Sequence, residues 1–292
     1  MIQPTDTILK HWQLADARSL TDKRPQWKVT RRRETLVLRH IPDDYPDIDY
    51  ELSVLAALDD TGWSVPILLD QHTEDGQHWL LFNWLPGEPL TTENASDVQR
   101  RGHRLAELHS AMSAIAIPGQ RAGFTRVDAI VSDPRLDTLL PAIAEQEPEA
   151  SQILQWHREQ AQGAFLEHDV ESLTQHPIHS DFARWNLLFD NGRYSGLLDL
   201  EATHHNFRIA DFALSWRGSY DNVLTGYEEV TPLSELEQHL LAPTFWAWLM
   251  MGVADAIEQH LSDHTPLNLA WQVKQMQRRS PRFGRWQMQM PV

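Results

Sequence analysis

The chain has 292 residues, 41% of them apolar, with a formal net charge of -16 and no cysteine. That is enough apolar material for one large domain or two lobes; the acidic balance argues against non-specific binding to nucleic acid or anionic membrane and suits a cationic substrate, and disulfides and thiolate metal sites are excluded. Met1 to Lys10 lack the apolar run of a signal peptide, so a cytoplasmic location is expected.

In chain order, Trp27 to Thr30 and Thr35 to Arg39 are β-favouring runs joined by the charged turn Arg31-Arg32-Arg33-Glu34. After Pro42 and Pro46, Ile48 to Leu58 reads as a helix with Leu52, Leu55 and Ala56 on one face and Glu51 beside it. A strand pair is expected at Val65 to Leu69 and His78 to Trp84, separated by Thr73 to Gly76, and Leu85-Pro86-Gly87 is a candidate hinge. From Thr91 the pattern turns helical, with Val98, Leu105, Leu108 and Met112 at helical spacing. Gln152 to Leu173 is a second helix. Ser234 and Glu237 form a capping-box signature before a run from Leu236 to Leu261 that Pro243 should kink or split. Its most apolar part, Leu240 to Ala254, is shorter than the roughly 18 to 20 residues that span a bilayer, and reads as a buried core helix.

Between the helical blocks, Gln175 to Glu201 has a different texture. Asn191-Gly192 signals a type I′ turn, so Leu187 to Phe189 and Tyr194 to Leu198 should pair as a hairpin. Closing that hairpin brings Asn186 near Asp199, thirteen positions later. An amide oxygen and a carboxylate are a fitting pair of ligands for Mg²⁺, which takes its remaining ligands from phosphate and water. Asp181, five residues before Asn186, is a carboxylate able to accept a proton from a hydroxyl attacking the γ-phosphate of a nucleotide.

The series His179-x-Asp181-x4-Asn186 followed by Asp199 resembles the catalytic loop and metal-binding aspartate of kinase-like folds. The wording Ser-Asp-Phe-Ala-Arg-Trp-Asn-Leu-Leu is similar to the aminoglycoside and choline kinase-like superfamily. Leu105 to His109, Phe82 to Gly87 and Asp211 to Ala213 resemble further segments of it. The resemblance implies an α+β, bilobal protein kinase-like fold, with a small β-rich N-lobe at 1–85 and a larger α-helical C-lobe at 86–292. It implies transfer of phosphate from ATP, with Mg²⁺ as cofactor, to a hydroxyl of a small molecule such as an amino sugar, amino alcohol or hydroxy amino acid. No nucleic acid, membrane or obligate protein partner is expected.

By the same resemblance, Asp181, His179 and Arg184 are the catalytic-loop residues, and Asn186 and Asp199 hold the metal. Arg39 and its helix partner Glu51 contact the nucleotide phosphates, with backbone around Phe82, Asn83 and Trp84 against adenine. Asp211 is a structural carboxylate beneath the loop. Trp246 to Asp255 and Glu258 fall where the superfamily builds its acceptor site.

Two features depart from the pattern. Arg39 stands where a lysine is usual, with Lys28 as the alternative, and Ala17 to Asp22 is not glycine-rich, leaving Ser19 or Thr21 to cover phosphate. These departures motivate a rival reading as a pseudokinase or ligand-binding module. A protein kinase is a third reading, disfavoured because no long activation segment follows Asp199. His176, His179, His204 and His205 suggest a metal hydrolase only superficially, since no H-E-x-x-H spacing is present.

Overall fold

The computed structural model describes residues 2–21, 24–90, 94–117, 119–215 and 220–290. Asp22 and Thr91, named above in the first turn and at the start of the helical pattern, lie outside them. The first elements are α1 (Asp6–His11), β1 (Ala15–Ser19), β2 (Gln26–Arg31), β3 (Glu34–Ile41), α2 (Ile48–Asp60), β4 (Leu68–Glu74), β5 (Gln77–Asn83) and β6 (Glu88–Pro89). Next come α3 (Ala95–Ala114), α4 (Val127–Val131), α5 (Leu136–Ala142), α6 (Pro148–Glu167), β7 (Gln175–Ile178), β8 (Leu187–Asp190), β9 (Arg193–Leu197) and β10 (His204–Phe207). The chain ends in α7 (Phe212–Ser215), α8 (Tyr220–Glu228), α9 (Glu235–Leu249), α10 (Val253–Asp263), α11 (Ala270–Met276) and α12 (Trp286–Gln289).

These elements form two compact units: Met1–Thr91 with Ala114–Gly123 and Arg184–Glu201, and Thr92–Ser113 with Phe124–Ala183 and Ala202–Val292. In the first unit five antiparallel strands run in the order β1-β2-β3-β5-β4. Trp27 and Val29 of β2, Leu36 and Leu38 of β3, and Trp79 and Leu81 of β5 alternate onto one face and form a core with Ile8 of α1 and Trp12 just after it. Arg39, one residue past Leu38, therefore takes the other face, where it meets α2 through Glu51. The unit also holds a small sheet, β6-β8-β9.

The helix Ile48–Asp60 forms as expected, but its buried stripe is Glu51, Val54, Leu55 and Leu58; Leu52 is only partly covered and Ala56 is exposed. Counting apolar residues rotated the face, because the true stripe contains a carboxylate that is buried by its ion pair. The strand expected from Val65 begins at Leu68 instead. Pro66 has no N–H for a ladder, and Ile67 is pinned by the Asn83 side chain rather than by strand pairing alone.

In the second unit, Val98, Leu105, Leu108 and Met112 of α3 are all buried, and β7 pairs antiparallel with β10. Helix α6 starts at Pro148, where a missing N–H costs nothing, and stops at Glu167 rather than Leu173. Ser234 and Glu237 make both bonds of the capping box. Pro243 does not split the following run: α9 continues through it, and the break comes at Gly252, in the left-handed region at φ 74°. The His239 carbonyl that Pro243 cannot bond accepts instead from Trp286 Nε1 at 3.2 Å. Glu235–Asp263 as a whole has the length and apolar content of a membrane span, but 72% of its most apolar window is buried inside the protein.

Candidate functional site

In the first unit the hairpin forms at the expected turn, with φ 48° at Asn191 and 76° at Gly192, the positive pair that a type I′ turn needs. Its ends close together: Leu198 N–H donates to the carbonyl of Asn186 at 2.8 Å. Asn186 is buried at the end of a 3-10 turn that begins with Arg184. Asp199 sits at φ 66°, a costly conformation for a non-glycine residue that clusters at functional sites.

A chain of alternating charges surrounds these ends. Arg24 donates through Nη1 to Asp199 at 2.8 Å and through Nη2 pairs with Glu201 at 2.5 Å. Glu201 also lies 3.7 Å from Arg39 Nη2, and Arg39 Nη1 donates to Glu51 at 2.6 Å. The Tyr45 hydroxyl donates to the same Glu51 carboxylate. Arg121, wholly buried, donates to the carbonyls of Glu201 at 2.6 Å and Pro46 at 2.9 Å and lies 3.8 Å from Glu51. The Arg39–Glu51 pair is internal, with side chains 11% and 3% exposed. Burial works against the Arg39 charge, but Glu51, Tyr45 and Glu201 more than offset it and raise its pKa further. Burial and the adjacent Asp199 push the Glu201 carboxyl up, against the pull of Arg24 and Arg39.

Lys28, the alternative to Arg39, instead stands over the Trp84 ring at 4.4 Å in a cation-π contact. Phe82 is buried in β5, while Asn83 pins the residue before β4: its N–H donates to the Ile67 carbonyl at 3.1 Å and its Oδ1 accepts from Ile67 N–H at 2.7 Å. Ser19 Oγ donates to the Thr21 carbonyl at 2.8 Å.

In the second unit β7 delivers the loop that begins at His179. Asp211, completely buried, accepts from the His179 N–H at 2.9 Å, the Ser180 N–H at 2.6 Å and His109 Nε2 at 3.0 Å. Burial opposes its charge, yet the histidines and the His179 amide hold its carboxyl below the usual range. Ser180, at φ 66°, is locked in a strained turn between these bonds. The Asp181 N–H donates to His179 Nδ1 at 3.2 Å, which assigns the ring proton to Nε2 and makes the imidazole a brace for the aspartate.

The support extends further: His109 Nδ1 meets the Tyr227 hydroxyl at 2.9 Å, and Arg208 binds Tyr227 at 3.3 Å and grips Glu237 of the capping box at 2.5 and 2.6 Å. The first turn of α9 is thus wired to the loop. Sequence reasoning quoted His109 and Glu237 for other reasons and missed Arg24, Arg121, Arg208 and Tyr227, which carry no local pattern.

Trp246 is core, edge-on to Trp156 and Trp286, rather than a substrate platform. Asp255 and Glu258 are paired with Arg135 at 2.8 and 2.9 Å. His176 and His204 bond the carbonyls of Pro177 and Ala202. Among the described residues no group of three or more His, Cys, Asp or Glu is arranged to hold a metal by itself. Asn186 and Asp199 supply two hard oxygen donors, which fits Mg²⁺, an ion that commonly completes its shell with phosphate and water.

Strand-rich first unit, hairpin and carboxylate-braced loop together define a protein kinase-like fold. Solved structures share it: a microcompartment-associated aminopropanol kinase has a TM-score of 0.65 at 19% identity, covering 90% of this chain and 98% of that one. An aminoglycoside phosphotransferase in ternary complex with ADP and hygromycin B has a TM-score of 0.62 at 16% identity, covering 92% and 95%. At these identities the likeness is one of fold. The phosphotransferase enzyme family matches residues 20–243, and the chain belongs to that family. A homoserine kinase of Sinorhizobium fredii (strain NBRC 101917 / NGR234) is 27% identical over 230 residues, 72% of this chain and 67% of that protein. The chain is a small-molecule kinase.

Proposed function

We propose that this kinase transfers the γ-phosphate of ATP to a hydroxyl of a small amine-bearing molecule (an amino alcohol, hydroxy amino acid or amino sugar), acting in the cytoplasm. The observation that carries the reading is the loop from His179 to Asp181, fixed by two backbone N–H bonds to buried Asp211 and by the His179 ring on the Asp181 amide. A carboxylate so held can orient an acceptor hydroxyl and take its proton as the oxygen attacks phosphorus. Arg184, in the turn that follows, would contact the transferring phosphoryl group.

Mg²⁺, when bound, neutralises the nucleotide phosphate oxygens; Asn186 and Asp199 would hold it. Arg39, kept charged and oriented by Glu51, which both of its terminal nitrogens meet, would contact the phosphates through its remaining N–H groups. Adenine would lie against the backbone of Phe82, Asn83 and Trp84. On this reading residues 1–85 contribute the phosphate contacts, and residues 86–292 the catalytic loop, the metal ligands and the acceptor site. An amine-bearing acceptor is supported by the net charge of -16 and by the acceptors named for the homoserine kinase and aminopropanol kinase above.

The test is ADP release from Mg-ATP in the presence of homoserine, 1-amino-2-propanol, choline or an aminoglycoside, for the parent and Asp181→Asn. The variant should lose roughly 10²- to 10⁴-fold in kcat. It should keep the stabilisation that Mg-ATP gives the parent, about 2.7 kcal/mol at 100 times the dissociation constant. Undiminished turnover in Asp181→Asn would sink the assignment.

A further inference from the structure

Resting on that reading of Asp199 as a metal ligand, the geometry points to Arg24 as a built-in counter-cation. We propose that it competes with the divalent cation for Asp199 and Glu201 and gives them up when a nucleotide polyphosphate offers it another partner. Arg24 spreads its two terminal nitrogens over two different carboxylates, Nη1 to Asp199 at 2.8 Å and Nη2 to Glu201 at 2.5 Å. Bridging two carboxylates is also what a hard divalent cation does.

Charge bookkeeping agrees. Arg24, Arg39 and Arg121 balance Glu51, Asp199 and Glu201, so the cluster is neutral as it stands, and a divalent ion arriving beside Arg24 would give it an excess of positive charge. Arg39 cannot be the one to yield, because it is buried against Glu51. Arg24 can: 42% of its side chain is exposed, and its backbone is tied at the foot of β2, where Gln26 N–H donates to the Arg24 carbonyl and His40 N–H to the Pro25 carbonyl. A side chain with a fixed root and a part-exposed tip can change partners without disturbing the core. Phosphate is the natural alternative partner, since a guanidinium matches its oxygens in pairs.

Arg24 is therefore a positioning residue that keeps Asp199 and Glu201 from closing on a cation before nucleotide arrives, and no motif reveals it because Asp199 is 175 positions away.

The experiment is titration of nucleotide-free protein with Mn²⁺, followed by electron paramagnetic resonance, for the parent, Arg24→Ala, Arg24→Lys and Asp199→Asn. Removing the competitor should tighten Mn²⁺ binding by about tenfold, the scale of one charge-assisted hydrogen bond. A folding defect could only weaken it. Arg24→Lys, which keeps the charge without the fork, should fall between parent and alanine variant. In parallel, calorimetry of Mg-ADP should show several-fold weaker binding to Arg24→Ala. Mn²⁺ affinity in Arg24→Ala equal to or below the parent's overturns the inference while leaving the kinase reading intact. Unchanged Mn²⁺ affinity in Asp199→Asn overturns the metal assignment itself and this inference with it.

Discussion

Glu51 is nearly sealed from solvent and accepts from Arg39 and Tyr45 with Arg121 close by, so it is the node on which one acid holds two buried guanidiniums. Removing one partner of a buried pair leaves the other charge uncompensated, which costs about 3 to 5 kcal/mol. Glu51→Ala should therefore lower the unfolding free energy by several kcal/mol, measured by urea denaturation, and raise the KM for ATP as Arg39 loses its orientation. A loss below about 0.5 kcal/mol, the range of ordinary surface changes, would show the pair to be ornamental. The motif residues were legible because a short spacing encodes them: His179, Asp181 and Asn186 fall within eight consecutive positions. Arg24 and Arg121 were not, because their partners lie 175 and 80 positions away and nothing local distinguishes them from surface arginines.

At the scale of elements, legibility followed the range of the interaction. The Asn191-Gly192 hairpin and the Ser234–Glu237 capping box were readable because each is closed by bonds within a few residues. The buried face of α2 and the fate of Pro243 were not, since a tertiary ion pair decides the first and the Trp286 indole, far along the chain, satisfies the carbonyl behind the second. Glycines in helices show the same divide. Gly102 of α3 and Gly226 of α8 lie where the two backbones meet: a Cβ at Gly102 would overlap the Val223 carbonyl and come 2.6 Å from the Tyr227 nitrogen. Backbone cannot move aside as a side-chain tip can, so Gly102→Ala should cost about 2 kcal/mol or more. It should also loosen Tyr227 and, through His109, the catalytic loop. Gly163 of α6 has open space around it, so Gly163→Ala should stabilise by about 0.5 to 1 kcal/mol through helix propensity. Denaturation midpoints moving the same way for both variants would refute this packing account.

The molecule as a whole has an acid limb to its stability that its buried histidines set. Burial depresses His157 to about 4 and His176 to about 3, in each case against the pull of a backbone carbonyl. In the unfolded chain both would titrate near 6.5. Between those values the unfolded state binds protons that the folded state refuses, so their contribution is intact above about pH 6.5 and drains away as pH falls toward the folded values. Two such sites give a slope of up to about 2.7 kcal/mol per pH unit between pH 6 and 4. Asp211, also depressed, adds to the loss only below about pH 4, where unfolded carboxylates begin to take up protons. Glu201 runs the other way, its raised carboxyl favouring the fold at low pH and losing that advantage as pH rises through its folded value. His205 and His239, depressed by burial as well, steepen the same limb, and the depressed carboxyls of Glu171, Glu229 and Glu237 join it below about pH 5. His157 packs against Trp156 and Trp246 at 4.8 Å between ring centroids, so tryptophan fluorescence reports its surroundings directly. His157→Phe keeps a ring of similar size and removes the titration. Urea unfolding at pH 6, 5 and 4 should show the variant's slope against pH reduced by up to about 1.4 kcal/mol per pH unit, the share of one site. An unchanged slope would mean that His157 is already protonated within the fold or exposed by local opening, and the acid sensitivity would then belong to the other depressed histidines and the carboxylates.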